Sequence, residues 1–159
     1  MAKKKAKTNA IRIVEQKKIS YIEHEYPWQE DDLSGKSVAE HLNADPSRIF
    51  KTLVAVGNKT GPIVAVIPSN QELDLKKIAK ASGNKKVEML HVKELEELTG
   101  YIRGGCSPVG MRKLFPTFFD ESALKYETIT VSAGRRGLQI ELAPKELALL
   151  VNGQFTDIV

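Results

Sequence analysis

A lysine at the opening of an apolar strand pattern, Phe50-Lys51-Thr52-Leu53-Val54-Ala55-Val56, is the first feature of this 159-residue sequence that could do chemistry. An ammonium group at the mouth of a sheet can bind a phosphate or polarise an ester carbonyl, and it loses its proton more readily when water is removed. The same pattern suits an edge lysine that guards a sheet against aggregation. The second feature is Gly104-Gly105-Cys106-Ser107-Pro108-Val109-Gly110. Adjacent glycines let backbone N–H groups approach a ligand with no Cβ in the way, which is what an oxyanion hole or carbonyl cradle needs. Pro108 stiffens this loop and holds Ser107 extended; a plain connecting turn fits the same residues. The third is Ser132-Ala133-Gly134-Arg135-Arg136-Gly137, a strand–loop–strand with two arginines between glycines. A guanidinium held there could fork onto a phosphate or sugar, or the segment is an exposed hairpin turn.

Other chemistries lack their residues. Cys106 is the single cysteine, so no internal disulfide can form. A catalytic thiol needs a base and no pattern supplies one, so Cys106 reads as a small buried hydrophobe. His24, His41 and His91 show no metal-ligand spacing. There is no phosphate-binding Gly-x-x-x-x-Gly-Lys-Ser/Thr loop, no Gly-x-Gly-x-x-Gly fingerprint and no Gly-x-Ser-x-Gly elbow. Neither a metal nor a cofactor is expected. The net charge of +4 suits a polyanionic partner, although a solvated face would look the same; four lysines among the first seven residues supply much of the excess. No run approaches the roughly 18 apolar residues needed to cross a bilayer, and the basic N-terminus has no apolar stretch behind it as a signal peptide would. The expectation is a cytoplasmic protein with no membrane partner.

The elements that must hold these segments read as follows. Residues 1–7 form a disordered basic tail and 8–159 one domain. Thr8 caps a helix reaching Lys17, and a strand covers 20–26. An acidic loop spans 27–35, then Ser37 caps a short helix over 38–42 with Glu40 as its capping-box partner. Strands over 49–56 and 63–67 are joined by a hairpin-like turn; the second is apolar without alternation and therefore buried on both faces. Asp74 starts a helix that Gly83 ends. A short strand over 86–90 and a helix over 92–98, closed by Gly100, lead into the glycine loop. Further strands cover 115–119, 126–132 and 138–142, with a turn at 122–125. Pro144 opens a last helix to Val151. Strands and short helices intermix with no dominant βαβ repeat, which predicts a single α+β domain with a curved mixed sheet flanked by short helices.

With Asp45-Pro46-Ser47-Arg48-Ile49, Lys85-Lys86-Val87-Glu88-Met89, Thr99-Gly100-Tyr101 and Phe155-Thr156-Asp157-Ile158-Val159 in the same order, the three segments resemble the YbaK-type Cys-tRNA(Pro) deacylases, relatives of the editing domain inserted in some prolyl-tRNA synthetases. The resemblance covers nearly the whole chain after residue 8. It implies hydrolysis of mischarged aminoacyl-tRNA, with Cys-tRNA(Pro) and also Cys-tRNA(Cys) as substrates, attacked by water or by the substrate's own thiol. Editing of another aminoacyl-tRNA such as Ala-tRNA(Pro), or a non-catalytic tRNA-end or nucleotide-binding module, are the alternatives. The implied catalytic groups are Lys51, on the aminoacylated 3′ end, and the backbone of Gly104 and Gly105, facing the acyl carbonyl. Tyr26, Thr52, Ser107, Pro108, Ser132, Gly134 and Arg136 are implied to line the same cleft. The implied partners are the aminoacylated tRNA 3′ end and, in a transient ternary complex, prolyl-tRNA synthetase. Some relatives carry an aromatic residue late in the loop after the tyrosine, where this chain has Leu33 and Ser34; Trp28 is the candidate replacement.

Overall fold

The computed structural model describes residues 7–29 and 31–159. Of the expected tail, residues 1–6 lie outside the described residues, and Lys7 pairs with Glu15 at 2.8 Å. Helix α1 (Asn9–Gln16) starts as expected, with the Thr8 hydroxyl accepting from Ile11 N–H. It buries Ala10, Ile11 and Val14, three positions on one helical stripe. Strand β1 (Tyr21–Glu25) follows. Helix α2 (Gly35–Leu42) begins earlier than expected: Ser34, not Ser37, is its cap, and the Ser34 hydroxyl accepts from Ser37 N–H at 3.2 Å. Ser37 thus sits in the first turn as a donor, so it cannot also be the residue that ends the extended segment.

A 3-10 turn (Pro46–Arg48) leads into β2 (Phe50–Gly57) and β3 (Gly61–Pro68), an antiparallel hairpin. Helix α3 (Leu75–Ser82) is capped by Asp74 and closed by Gly83 in the left-handed region. Strand β4 (Val87–Met89), α4 (Val92–Thr99) and β5 (Thr117–Asp120) come next, then a second 3-10 turn (Glu121–Lys125). Strand β6 (Ile129–Arg135) outruns its expected end because a bulge between Ser132 and Arg135, with Gly134 at φ 104°, keeps it paired to β7 (Leu138–Leu142). Helix α5 (Pro144–Val151) opens on its proline. Strand β8 (Gln154–Thr156), which periodicity did not foretell, closes the chain's pairing.

The domain is α+β with mixed pairing and five short helices, as expected. Its strands divide into two sheets, in the orders β1-β7-β6 and β4-β2-β3-β5-β8. A parallel bridge between Ile49 and Thr130 links them. The five-stranded sheet is mixed: β3 lies parallel to β5, and β5 parallel to β8. Its two faces carry separate cores. Val64 and Val66 of β3 face Phe50, Val54, Phe119, Ile129 and Ile140. Ile63, Ala65 and Ile67 face Ile78, Phe118 and Ile158. Covering both faces of β3 is why that strand is apolar without alternation. Among the described residues no helix is long and apolar enough to cross a membrane.

Candidate active site

Strand β2 is held on one edge by β3 along its whole length, but β4 covers its other edge only at 55–57. Beside the uncovered stretch lies a cavity of about 540 Å³. Its walls include Lys51, Thr52 and Leu53 of β2, Arg103, Gly104 and Cys106 after α4, Ser132 of β6 and Gln139 of β7. Asp31, Asp32 and Leu33 of the acidic loop close one side; Met89, Leu90, Val92 and Leu95 form an apolar lip on another. The size is that of a site for a drug-sized organic ligand.

Lys51 is half-buried in this cavity, and no described carboxylate lies within ion-pair distance of it. Burial pulls its pKa below the usual lysine value, and the Glu72 carboxylate opposes that more weakly. An ammonium that is partly stripped of water and free of a counter-ion is primed to take a negative or partly negative oxygen.

The two glycines of the loop divide their work. Gly104 lines the cavity at φ 86°, a conformation that favours glycine, and Leu33 occupies the space where its Cβ would be, at 3.1 Å. No described residue accepts from its N–H. Gly105 was expected as a second donor, but its N–H donates to Ile102 C=O at 2.9 Å, and it is absent from the cavity wall. What Gly105 supplies is closeness: a Cβ there would meet Arg135 Cα and Arg136 N, both at 2.9 Å. The loop therefore lies directly on the β6–β7 turn. Tyr101 pins it from below, its hydroxyl donating to Val109 C=O at 2.6 Å and its ring filling the space beside Gly134.

Of the other residues implied to bind substrate, Thr52 and Ser132 line the cavity. Ser107 does not; it is fully buried and its hydroxyl accepts from Val109 N–H at 3.2 Å, which shapes the loop. Pro108 faces a separate, mainly apolar cavity of about 200 Å³ with Phe115 and Leu150. Gly134 packs on Tyr101, behind the wall. Arg136 stands at the rim, its Nε donating to Arg103 C=O at 2.8 Å and its guanidinium 5.3 Å from the centre of the Trp28 ring. Trp28 thus braces an arginine at the turn, outside the cavity wall. Tyr26 also lies behind the wall, stacked on His41 with ring centres 6.3 Å apart. Its hydroxyl accepts from Gln139 Nε2 at 3.4 Å.

That contact exposes a residue the sequence reading missed. Gln139 is 5% exposed, lines the cavity, and its Oε1 is buried with no partner. The alternation of β7 puts Gln139 on the face of Glu141, opposite Leu138, Ile140 and Leu142, which reads as the solvent side. Here that face borders the cavity with Tyr26 against Gln139, so nothing local in the sequence distinguishes it.

Cys106 reaches the cavity wall but is 6% exposed, and burial pushes its thiol pKa up to about 12; the Thr99 hydroxyl counteracts this in part. It is a neutral thiol at physiological pH and a poor nucleophile. Cys106→Ala should retain hydrolytic activity within about threefold, because no charge or donor is lost. Loss of several orders of magnitude in a folded Cys106→Ala protein would make the thiol a participant.

The geometry can be set against known proteins. The aminoacyl-tRNA editing domain family matches residues 33–150. The chain is 68% identical, over 99% of its length and 98% of the relative's, to EbsC of Enterococcus faecalis, a protein provisionally named as a Cys-tRNA(Pro)/Cys-tRNA(Cys) deacylase. A half-length stretch is 33% identical to part of the proline–tRNA ligase of Thermosipho africanus, covering 14% of that enzyme. A crystal structure described provisionally as a trans-editing enzyme for prolyl-tRNA synthetase superposes with a TM-score of 0.81 at 28% identity, covering 97% of this chain and 98% of the other. With that family's model matching residues 33–150 and a 68% identical relative covered over nearly its full length, the chain belongs to the aminoacyl-tRNA editing domain family.

Proposed function

We propose that this protein hydrolyses the ester of mischarged aminoacyl-tRNA, with Cys-tRNA(Pro) and Cys-tRNA(Cys) as its substrates, and that residues 8–159 together form the editing domain. The observation that carries the reading is one cavity with Lys51 on one wall and Gly104, whose N–H has no described acceptor, on another, at a scale that admits an aminoacyl nucleoside. The name of the 68% identical relative points to the same substrates. Lys51 neutralises the developing charge at the acyl bond or an adjacent phosphate of the 3′ end. Gly104 N–H donates to the same region, and Ser132 lines the acyl pocket. The ester is already activated, so the protein's part is to bind, orient and stabilise charge. The nucleophile is a positioned water, or the substrate's thiol, which expels the tRNA 3′-end oxygen and leaves a thiolactone that water then opens; either accounts for a site built without a protein nucleophile. No cofactor takes part. The protein acts in the cytoplasm, in transient association with prolyl-tRNA synthetase.

The test is to incubate the protein with Cys-tRNA(Pro), Ala-tRNA(Pro) and Pro-tRNA(Pro) and follow release of the amino acid. Rapid release from Cys-tRNA(Pro), at least about 10²-fold faster than from Pro-tRNA(Pro), is expected, since only the cysteinyl ester carries a thiol that can serve as the nucleophile, a preference of chemistry added to that of fit. Preference for Ala-tRNA(Pro) would reassign the substrate. Tight binding of tRNA without release from any of the three would make the protein a binding module.

A further inference from the structure

Strand β2 turns main-chain groups toward the cavity at Thr52. In an antiparallel pair, residues alternate between those that exchange both main-chain bonds with the partner strand and those whose N–H and C=O point away. Two bonds set the phase here. Val64 N–H donates to Pro116 C=O at 2.8 Å, beyond β3, and Leu90 N–H donates to Val54 C=O at 3.1 Å, beyond β2. The Val54–Val64 pair therefore points outward on both sides. The register runs without a break, so Thr52, opposite Val66, shares that phase. Its N–H and C=O leave the hairpin on the side of β4.

No ladder takes them up. Strand β4 pairs with β2 only at 55–57 before the chain turns into α4, and β6, which runs close to β2, is bridged to this side only at Ile49. The gap between those two strands is the cavity that Thr52 lines. Thr52 has a register partner only across β3, at Val66, and no ladder pairs it on this side. Its hydroxyl is buried without a hydrogen-bond partner, and so is Gln139 Oε1 in the same cavity. Unpaired buried polar groups are costly and call for a reason.

An α-aminoacyl ester has the same N–Cα–C=O arrangement as one residue of a strand. We propose that the substrate's aminoacyl group docks on Thr52 as the first residue of an added antiparallel strand. Thr52 N–H donates to the ester carbonyl oxygen, and the substrate's α-ammonium donates to Thr52 C=O. This is edge-strand recognition reduced to a single residue, and it rests on the deacylase reading above. It brings the ester next to Lys51, the neighbour of Thr52 in the chain. It also supplies the second carbonyl donor that Gly105, committed to Ile102, does not. Because main-chain pairing ignores the side chain, choice of amino acid falls to groups above and below the strand, among them Gln139 and Ser132.

The decisive experiment replaces the Thr52 amide by an ester, introducing the α-hydroxy counterpart of threonine, which removes the N–H and weakens only one other group, the Lys51 carbonyl in the β2–β3 ladder. Since no ladder takes up that N–H, the unfolding temperature should fall only as far as the weakened Lys51 carbonyl dictates, whereas kcat on Cys-tRNA(Pro) should fall roughly 10²-fold or more. The same exchange at Ala55, whose N–H belongs to the β2–β3 ladder, should lower the unfolding temperature and leave kcat unchanged. A second arm uses the unmodified protein with 3-mercaptopropionyl-tRNA(Pro), which lacks only the α-amino group; KM should rise about tenfold or more. A third measures binding of a non-hydrolysable cysteinyl-amide analogue of the terminal adenosine, expected to weaken about tenfold in the Thr52 ester protein. Full kcat in that protein, or unweakened analogue binding, overturns the docking while leaving the deacylase assignment intact. Analogue binding that depends on the Thr52 N–H, in a protein that releases no amino acid, would uphold the docking and remove the hydrolase.

Discussion

Lys51→Ala should lower deacylation of Cys-tRNA(Pro) by at least about 10²-fold in a protein that remains folded, the scale expected when one preorganised charge-stabilising group is removed. Lys51 contacts no described carboxylate that its loss would strand, and it is not part of either core. Its ammonium is a penalised group, since burial depresses its pKa. The sign of the linkage follows. Between the depressed folded value and the ordinary unfolded one, the unfolded chain binds more protons, so the penalty is in full force at neutral pH and is relieved as pH rises through the folded pKa. Removing the ammonium at pH 7 should therefore not destabilise the fold through lost charge, and Lys51→Met, which keeps the stem, should unfold no earlier than the parent. The same depressed value makes a kinetic forecast. If the charged form is the working form, kcat/KM loses its alkaline limb at a pH lower than an ordinary lysine would dictate, after subtraction of uncatalysed ester hydrolysis. A folded Lys51→Ala protein with near-parental turnover would remove Lys51 from the site.

The second large effect is expected from a single methyl group. In Gly105→Ala the new Cβ would lie 2.9 Å from Arg135 Cα and from Arg136 N, backbone atoms that cannot rotate aside as a side chain could. The loop must lift from the β6–β7 turn, or the turn must shift. Overpacking of this kind costs about 1–3 kcal/mol, or roughly 2–12 °C in Tm for a chain of this size. The catalytic loss should be larger than the stability loss suggests. Gly104 and Cys106 flank the substituted residue on the cavity wall, and displacement of about 1 Å in a positioning element can cost 10²-fold in rate. Measuring Tm and kcat together separates the two. A kcat within a factor of about two of the parent, with Tm lowered, would mean that the loop's seat on the turn does not position the chemistry.

Both effects arise at residues that sequence reading had picked out, but for reasons it could only partly state. Lys51 stands out because a lysine among Phe50, Leu53, Val54 and Ala55 interrupts an apolar strand, and the structure places it on the cavity wall. The paired glycines were visible as a chain segment with no side chains. Which of them offers a donor and which offers contact was not, because that depends on where Ile102 C=O and the backbone of Arg135 come to rest. Ser107 and Pro108 were grouped with the cleft by adjacency along the chain, yet the turn at 105–110 carries them to the far side of the loop, against Val109 and the smaller cavity. Strand β8 escaped notice since three residues show no periodicity; it exists because β5 offers it an open parallel edge.

Local rules were sufficient wherever a structure is decided within a few residues. Thr8, Asp74 and Pro144 start helices, Gly83 and Gly100 stop them, and the unbroken apolar run of β3 announces two covered faces, since capping, left-handed backbone and burial period are properties of neighbouring residues. The site is of another kind. The edge at Thr52 lacks a ladder partner because β4 stops short and β6 is bridged to this side at Ile49 alone. The unsatisfied Oε1 of Gln139 exists because the nominally solvent face of β7 is roofed by other elements. Residue spacing determines which way a side chain points from its own strand. Which strand lies alongside, and which main-chain groups are left without a neighbour, is settled by pairing between segments some 80 residues apart, and only the folded chain holds that information.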